Sequence, residues 1–250
     1  MPEFQNDTAG APVWADLSAP DRLAAIAFYR ELFGWHVDES SFPTTGYTYF
    51  ELSGQRVAGL AESAGYPGWN IYLQTEDARA SAELVTAAGG EALAVVPFGP
   101  TGTVGHFLDP HGVWIGGWQA GSHSGFGVTD EPGAPTWFEL HTRHYPESIE
   151  FFTRAFGWEV HPMPEAEGFR MATLGDIRVA QAGIYDAEAS LPEDSNGRWL
   201  LYFQVEDTDT TIVRALRLGG TVVQEASDTP YGRMAEIADT AGIRFAVIQP

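Results

Sequence analysis

Cysteine is absent from the 250 residues, and all 13 basic residues are arginine. The first absence excludes disulfides, thiolate nucleophiles and cysteine metal sites. The second removes Schiff-base chemistry and any lysine general base. Positive charge is scarce altogether: 34 acidic residues outweigh it, and the net charge of −21 repels nucleic-acid phosphates, anionic lipid and polyanionic substrates. Neither nucleic acid nor membrane is an expected partner. No apolar run approaches the roughly 18 residues that cross a bilayer, and the opening Met-Pro-Glu-Phe-Gln-Asn has no basic flank or apolar stretch of a secretory signal. The expectation is a soluble, cytoplasmic protein of ordinary globular composition, 44% hydrophobic and 19% charged.

What the sequence does contain is a repeat. Trp14 recurs as Trp137, Phe28 as Phe151 and Gly34-Trp35 as Gly157-Trp158, all at a separation of 123. The offset slips to 122 for Gly46 with Gly168 and Arg56-Val57 with Arg178-Val179, then jumps to 130 for Tyr72 with Tyr202, Glu76-Asp77 with Glu206-Asp207 and Asp109 with Asp239. An internal duplication with a polar insertion at 186–197 of the second copy accounts for this pattern. The expected division is a first module at 11–120, a Gly- and acid-rich linker at 121–133 and a second module at 134–250.

Each copy repeats one order of elements. Pro12 to Leu17 and Thr136 to Thr142 read as opening strands. Ala25, Phe28, Tyr29, Leu32 and Phe33 then form one apolar helical face, with Ser18 as the expected N-cap and Gly34 as the stop. Strands at 47–52 and 57–60 follow. Trp69 to Thr75 opens a second unit whose helix, Asp77 to Ala88, stops at Gly89-Gly90, and strands at 104–108 and 113–118 flank the turn Asp109-Pro-His-Gly112. Each copy is therefore two βαβββ units.

Four such units, with Ser-Ala-Pro-Asp21, Ala-Phe-Tyr-Arg-Glu-Leu-Phe-Gly-Trp35 and Asp109-Pro-His-Gly112 as the most telling stretches, resemble the vicinal oxygen chelate superfamily, the glyoxalase, bleomycin-resistance and extradiol dioxygenase group. The resemblance implies an α+β fold in which paired units curve mixed sheets around cavities, with metal ligands on the opening and closing strands. Carried over residue by residue, those ligand positions fall on Trp14, Asn70 and Gly116 in the first copy and on Trp137, Leu200 and Ala246 in the second. None of the six suits a divalent cation, so neither metal nor other cofactor is expected.

Two residues further along the opening strands, Asp16 and Glu139 share the cavity-facing row, followed by His141. A Glu139–His141 pair with a third ligand could rebuild a metal site, or could serve with Asp16 as acid and base. Aromatic side chains and one methionine take the place of chelators: Trp14, Tyr47, Tyr49, Trp69, Phe107, Trp114 and Trp118 in the first copy, and Trp137, Phe169, Met171, Trp199 and Tyr231 in the second, with Asn70, His106, Arg233 and Glu236 as orienting polar groups. His36, His111, His123, His144 and His161 read as surface. The leading expectation is a metal-independent protein that sequesters a small aromatic or polyketide-like metabolite or antibiotic, a monomer whose modules pair within the chain. The alternative is a metal-independent glyoxalase-, hydroxylase- or isomerase-type enzyme using Glu139, Asp16 or His141.

Overall fold

The computed structural model describes residues 10–38, 46–63, 67–163, 170–176 and 180–250. Its first unit comprises β1 (Pro12–Ala19), α1 (Arg22–Phe33), β2 (His36–Asp38), β3 (Tyr47–Leu52) and β4 (Gln55–Glu62). The second comprises β5 (Gly68–Gln74), α2 (Ala78–Ala87), β6 (Glu91–Pro97), β7 (Gly102–Leu108) and β8 (Trp114–Ala120). The third comprises β9 (Pro135–Thr142), α3 (Tyr145–Phe156), β10 (Val160–Pro162), β11 (Met171–Leu174) and β12 (Ala182–Asp186). The fourth comprises β13 (Gly197–Gln204), α4 (Thr208–Arg217), β14 (Thr221–Thr229), β15 (Gly232–Ala238) and β16 (Arg244–Gln249).

Helix starts follow local chemistry. Asp21, Asp77 and Asp207 accept hydrogen bonds from backbone amides of the first helical turns, while Ser18 lies inside β1 and caps nothing. α3 departs from the pattern: His144 stands at the N-cap without a side-chain bond, and Pro146 is the second residue of the helix. Gly34 and Gly157 end α1 and α3 in the left-handed region at φ 74° and 70°.

Two eight-stranded mixed sheets result, in the orders β2-β3-β4-β1-β5-β8-β7-β6 and β10-β11-β12-β9-β13-β16-β15-β14. In each, an antiparallel central pair joins two units, and each central strand lies parallel to the last strand of its own unit. The edge strands β6 and β14 are largely exposed, so they carry none of the alternation that marks a half-buried strand.

The helix-bearing faces of the two sheets meet in one core. α1 packs against α4 and α2 against α3. Tyr29, Phe33, Trp35 and Trp69 of the first module interlock with Phe203 and Phe245 of the second. Tyr29 donates to Asp239 at 3.2 Å, Trp35 Nε1 to Gly133 O at 2.7 Å and Trp158 Nε1 to Gly10 O at 2.9 Å. Separating the modules would expose this aromatic surface, at about 25 cal/mol per Å².

The opposite faces are concave. Tyr49 on β3 and Trp118 on β8 are four strand spacings apart, roughly 19 Å on a flat sheet, yet both rings lie within 5.5 and 5.6 Å of the His123 ring. In the second sheet the hydroxyl of Tyr231, at the β14–β15 turn, is 3.9 Å from Sδ of Met163, just beyond β10 at the other edge. No helix among the described residues is long and apolar enough to cross a membrane.

Candidate functional site

On β1, Trp14, Asp16 and Ser18 point to the inner face of the first sheet, and on neighbouring β5 Asn70 and Tyr72 do the same. Asp16 is buried and accepts from Tyr72 Oη at 2.7 Å, Asn70 Nδ2 at 2.8 Å and Tyr47 Oη at 3.4 Å. Trp14 Nε1 in turn donates to Tyr47 Oη at 2.9 Å. Glycine makes the cluster possible: a Cβ at Gly59 would meet Tyr47 Oη at 1.7 Å. Burial raises the Asp16 pKa, and the three donors pull it back; burial and the Asp16 charge push Tyr47 and Tyr72 well above the usual phenol range.

Beside this cluster the linker folds inward. His123, read from sequence as surface, is buried with its ring 4.4 Å from that of Trp14, and it also touches Tyr49 and Trp118. Trp118 Nε1 donates to the His123 carbonyl at 2.9 Å, and Arg56 lies over the Tyr49 ring. Burial first, and the Arg56 charge second, lower the His123 pKa to about 4. Phe126 follows it against Trp14 and Phe138. The aromatic lining of the first module is thus largely filled by the chain itself.

The second inner face keeps the plan and changes its contents. Glu139 stands where the first module has Asp16; its Oε1 lies 2.6 Å from His141 Nε2 and accepts from Tyr202 Oη at 3.2 Å, and its Oε2 accepts from Trp137 Nε1 at 3.1 Å. Tyr202 is raised well above the phenol range by burial and by Glu139, with a smaller push from Glu236 that the Arg198 charge opposes. Those two residues form the adjacent ion pair, Arg198 Nη2 to Glu236 Oε2 at 2.9 Å, with Arg244 at 3.5 Å from the other Glu236 oxygen. Leu200, Tyr202, Ala246 and Ile248, with Trp137 and Met234 against them, make the apolar wall. Met171 belongs to the same face, because a Cβ on Gly183 would meet the Trp137 ring at 2.9 Å and Met171 Sδ at 3.4 Å.

Expected lining residues divide by face. Trp14, Tyr49, Asn70, Trp118, Trp137 and Met171 are on the inner faces, as is Trp114, whose ring meets Tyr72 at 5.3 Å and His106 at 5.8 Å. Burial lowers the pKa of His106. Phe107, Trp69 and Trp199 are on the helix-bearing faces instead: Phe107 packs on Phe156, Trp69 on Phe203 and Trp199 on Phe152. Strand alternation puts them one residue out of phase with the inner rows. Tyr231 is an exposed rim residue, and Phe169 lies outside the described residues. Arg233 turns away to pair with Asp209 and Asp228. His111 and His144 are not simple surface groups either, since their rings stack at 3.5 Å across the module junction.

Tyr72, Tyr202, His123 and Arg198 were missed as site residues. The recurrence of Tyr72 as Tyr202 in the repeat was the available signal for the tyrosines; His123 sits in a stretch whose composition reads only as linker.

The six family ligand positions do not fit a divalent metal. Trp14, Trp137, Leu200 and Ala246 offer no donor, Asn70 is engaged by Asp16 and Ser18, and any side chain at Gly116 would run into the Tyr72 ring at 2.3 Å. Among the described residues no three His, Asp or Glu side chains converge on a metal position, so Glu139 and His141 find no third ligand there.

The model of the Glyoxalase/Bleomycin resistance protein/Dioxygenase superfamily matches residues 12–116 and 135–247. The putative glyoxylase CFP32 of Mycobacterium tuberculosis is 33% identical over 262 aligned positions, covering 100% of this chain and 98% of that protein. The anthracycline biosynthesis protein DnrV of Streptomyces peucetius is 33% identical over 265, covering 96% and 93%. The 2,3-dioxygenase LapB from Pseudomonas sp. KL28 superposes with a TM-score of 0.66 at 18% identity, covering 98% of this chain and 94% of that one, which speaks for the fold alone.

Proposed function

The chain belongs to the Glyoxalase/Bleomycin resistance protein/Dioxygenase superfamily, and from that premise we propose that it is a metal-independent binding protein for a flat aromatic, polyketide-like small molecule, held on the inner face of the second module. One observation carries this reading. The apolar wall of Leu200, Tyr202, Ala246 and Ile248, with Trp137 and Met234, stands where the family places chelating side chains, and it adjoins a short row of polar groups. Such a surface favours stacking and dispersion over chelation, while the few polar groups fix orientation. The relative named for anthracycline biosynthesis supports a polyketide-like ligand.

A second reading rests on the 2.6 Å contact between His141 and Glu139. A carboxylate that orients an imidazole is an arrangement for proton transfer, and among the described residues it is found in the second module, at Glu139 and His141. The hydrogen-bond partners of Asp16 among the described residues are Tyr72, Asn70 and Tyr47, with no imidazole among them.

Incubation of the purified protein with polycyclic and quinone polyketides, followed by mass spectrometry of what it retains, tests both. One compound recovered unchanged near one equivalent, and lost in Trp137→Ala, is the expected result. A product of altered mass that disappears in Glu139→Gln replaces the binder with the enzyme, and retention of nothing overturns both readings.

A further inference from the structure

The cross-strand register of β9 and β13 places Arg198 directly opposite His141. Such partners have Cβ atoms about 5 Å apart on one face. The guanidinium of Arg198 is used on one side only. Its Nη2 bonds Glu236, while Nη1 is buried with no hydrogen-bond partner among the described residues. A buried donor left unpaired costs about 1–3 kcal/mol, so it points to an acceptor that the described residues do not supply.

The neighbouring imidazole is polarised in a complementary sense. An ionised carboxylate can only accept, so Glu139 Oε1 at 2.6 Å holds the proton on Nε2 of His141 and leaves Nδ1 with its lone pair. Nδ1 has no hydrogen-bond partner among the described residues. The face therefore presents a proton acceptor, His141 Nδ1, next to a fixed cation with a spare donor, Arg198 Nη1. The surrounding charge is balanced: Arg198 and Arg244 share Glu236, and Glu139 serves His141.

We propose that the second module recognises its ligand through an ionisable hydroxyl, a phenol or enol carried on a flat ring system, with the oxygen seated between His141 and Arg198. The hydroxyl proton passes to Nδ1, giving an imidazolium that keeps its Nε2–H bond to Glu139, and the oxyanion left behind accepts from Arg198 Nη1. One O–H bond breaks, one N–H bond forms, and no other reactant is required. The ion pair so formed replaces an unpaired donor by a charge-assisted hydrogen bond.

The first module cannot do this. Gly68 stands where the second has Arg198, Ser18 where it has His141 and Trp114 where it has Arg244. The inference rests on the small-molecule reading above and adds to it the chemical class of the ligand and a positioning residue, Arg198.

The test uses 7-hydroxycoumarin, whose absorption reports ionisation of its hydroxyl, and 7-methoxycoumarin, which has the same ring and no proton to lose. The full-length protein is titrated with each at neutral pH. The expected result is that the hydroxy compound binds about tenfold more tightly, as a charge-assisted bond allows, and binds as its anion at a pH where the free compound is still partly neutral. In Arg198→Met that preference and the spectral shift disappear, while affinity for the methoxy compound stays within about twofold. Arg198→Lys, which keeps the charge and loses the forked geometry, retains part of the shift and covers the case in which Arg198→Met fails to fold. Equal binding of the two coumarins, or an anion shift that survives in Arg198→Met, overturns the inference and leaves the binding reading intact. Failure of both coumarins to bind overturns this inference, and the polyketide panel then decides the broader reading by itself.

Discussion

The two inner faces are built on one plan and have diverged in how much of themselves they keep free. In the first, a carboxylate is enclosed by Tyr72, Asn70 and Tyr47, and the linker's His123 fills the space among Trp14, Tyr49 and Trp118. In the second, the equivalent carboxylate orients an imidazole that is 12% exposed, and an apolar wall and two guanidiniums surround it. Duplication supplied two copies of a cavity. One is packed by the protein's own linker, and the other keeps a buried guanidinium nitrogen, Arg198 Nη1, without a partner among the described residues. Both carboxylates are held by three internal side chains, and the difference lies in what stands beside them: a linker histidine in the first face, an apolar wall and two guanidiniums in the second.

The sharpest way to break this comparison is to remove the first carboxylate. Asp16→Ala strips the acceptor from two tyrosine hydroxyls and an asparagine amide in a buried setting, and each orphaned donor costs about 1–3 kcal/mol. A loss of about 4 kcal/mol in urea unfolding is expected, with ligand retention by the second module unchanged wherever the variant is folded. A small stability loss accompanied by loss of binding would reverse the assignment of the two faces.

His123 gives the next largest effect, and its sign is fixed by the direction of the shift. Its folded pKa of about 4 lies below the roughly 6.5 of the unfolded chain, so above that range the imidazole is neutral in both states. As pH falls from about 6.5 to 4, the unfolded chain takes up a proton that the folded protein refuses, and stability drops by about 3 kcal/mol in all. Asp16, whose pKa burial raises, slopes the opposite way: its contribution is present at low pH and lost as pH rises through the folded value. Comparison of His123→Gln with the parent isolates the first slope. Unfolding free energies measured between pH 4 and 7 should fall less steeply in the variant, and parallel profiles would mean that His123 is not buried in solution.

This asymmetry also marks where sequence reading stopped. The repeat, the helices and most strands were legible because recurrences at fixed offsets and the helical spacing of apolar residues are local signals, while the cap of the first helix fell on Asp21 and not on Ser18. Asp16, Glu139 and His141 were legible as a row because strand alternation is strict. Phe107, Trp69 and Trp199 were assigned to the wrong face because an aromatic residue serves a cavity and a core equally well, and only the meeting of two helix-bearing faces decides between them. The edge strands β6 and β14 are too exposed to show a period. His123 was hidden for a different reason: glycine and serine around it describe a linker, and its burial depends on a cage assembled from β1, β3 and β8.

The finest test makes the same isosteric change in both modules. Asp16→Asn and Glu139→Gln each turn one acceptor oxygen into a donor amide while preserving shape. At Asp16, Asn70 donates to one oxygen and the two tyrosines to the other; at Glu139, Trp137 donates to one oxygen, and Tyr202 and His141 share the other. In either variant the amide oxygen can keep the side with two partners, which leaves a single N–H donor, Asn70 or Trp137, against the new amide nitrogen. The two substitutions should therefore cost about the same, on the order of 1–3 kcal/mol, in matched denaturant curves. Ligand retention should separate them, because a neutral amide no longer steadies a protonated His141, and a drop of about tenfold is expected for Glu139→Gln alone. If both variants lose stability equally and neither changes binding, the two carboxylates are structural twins, and the division of labour between the modules lies in some other pair of residues.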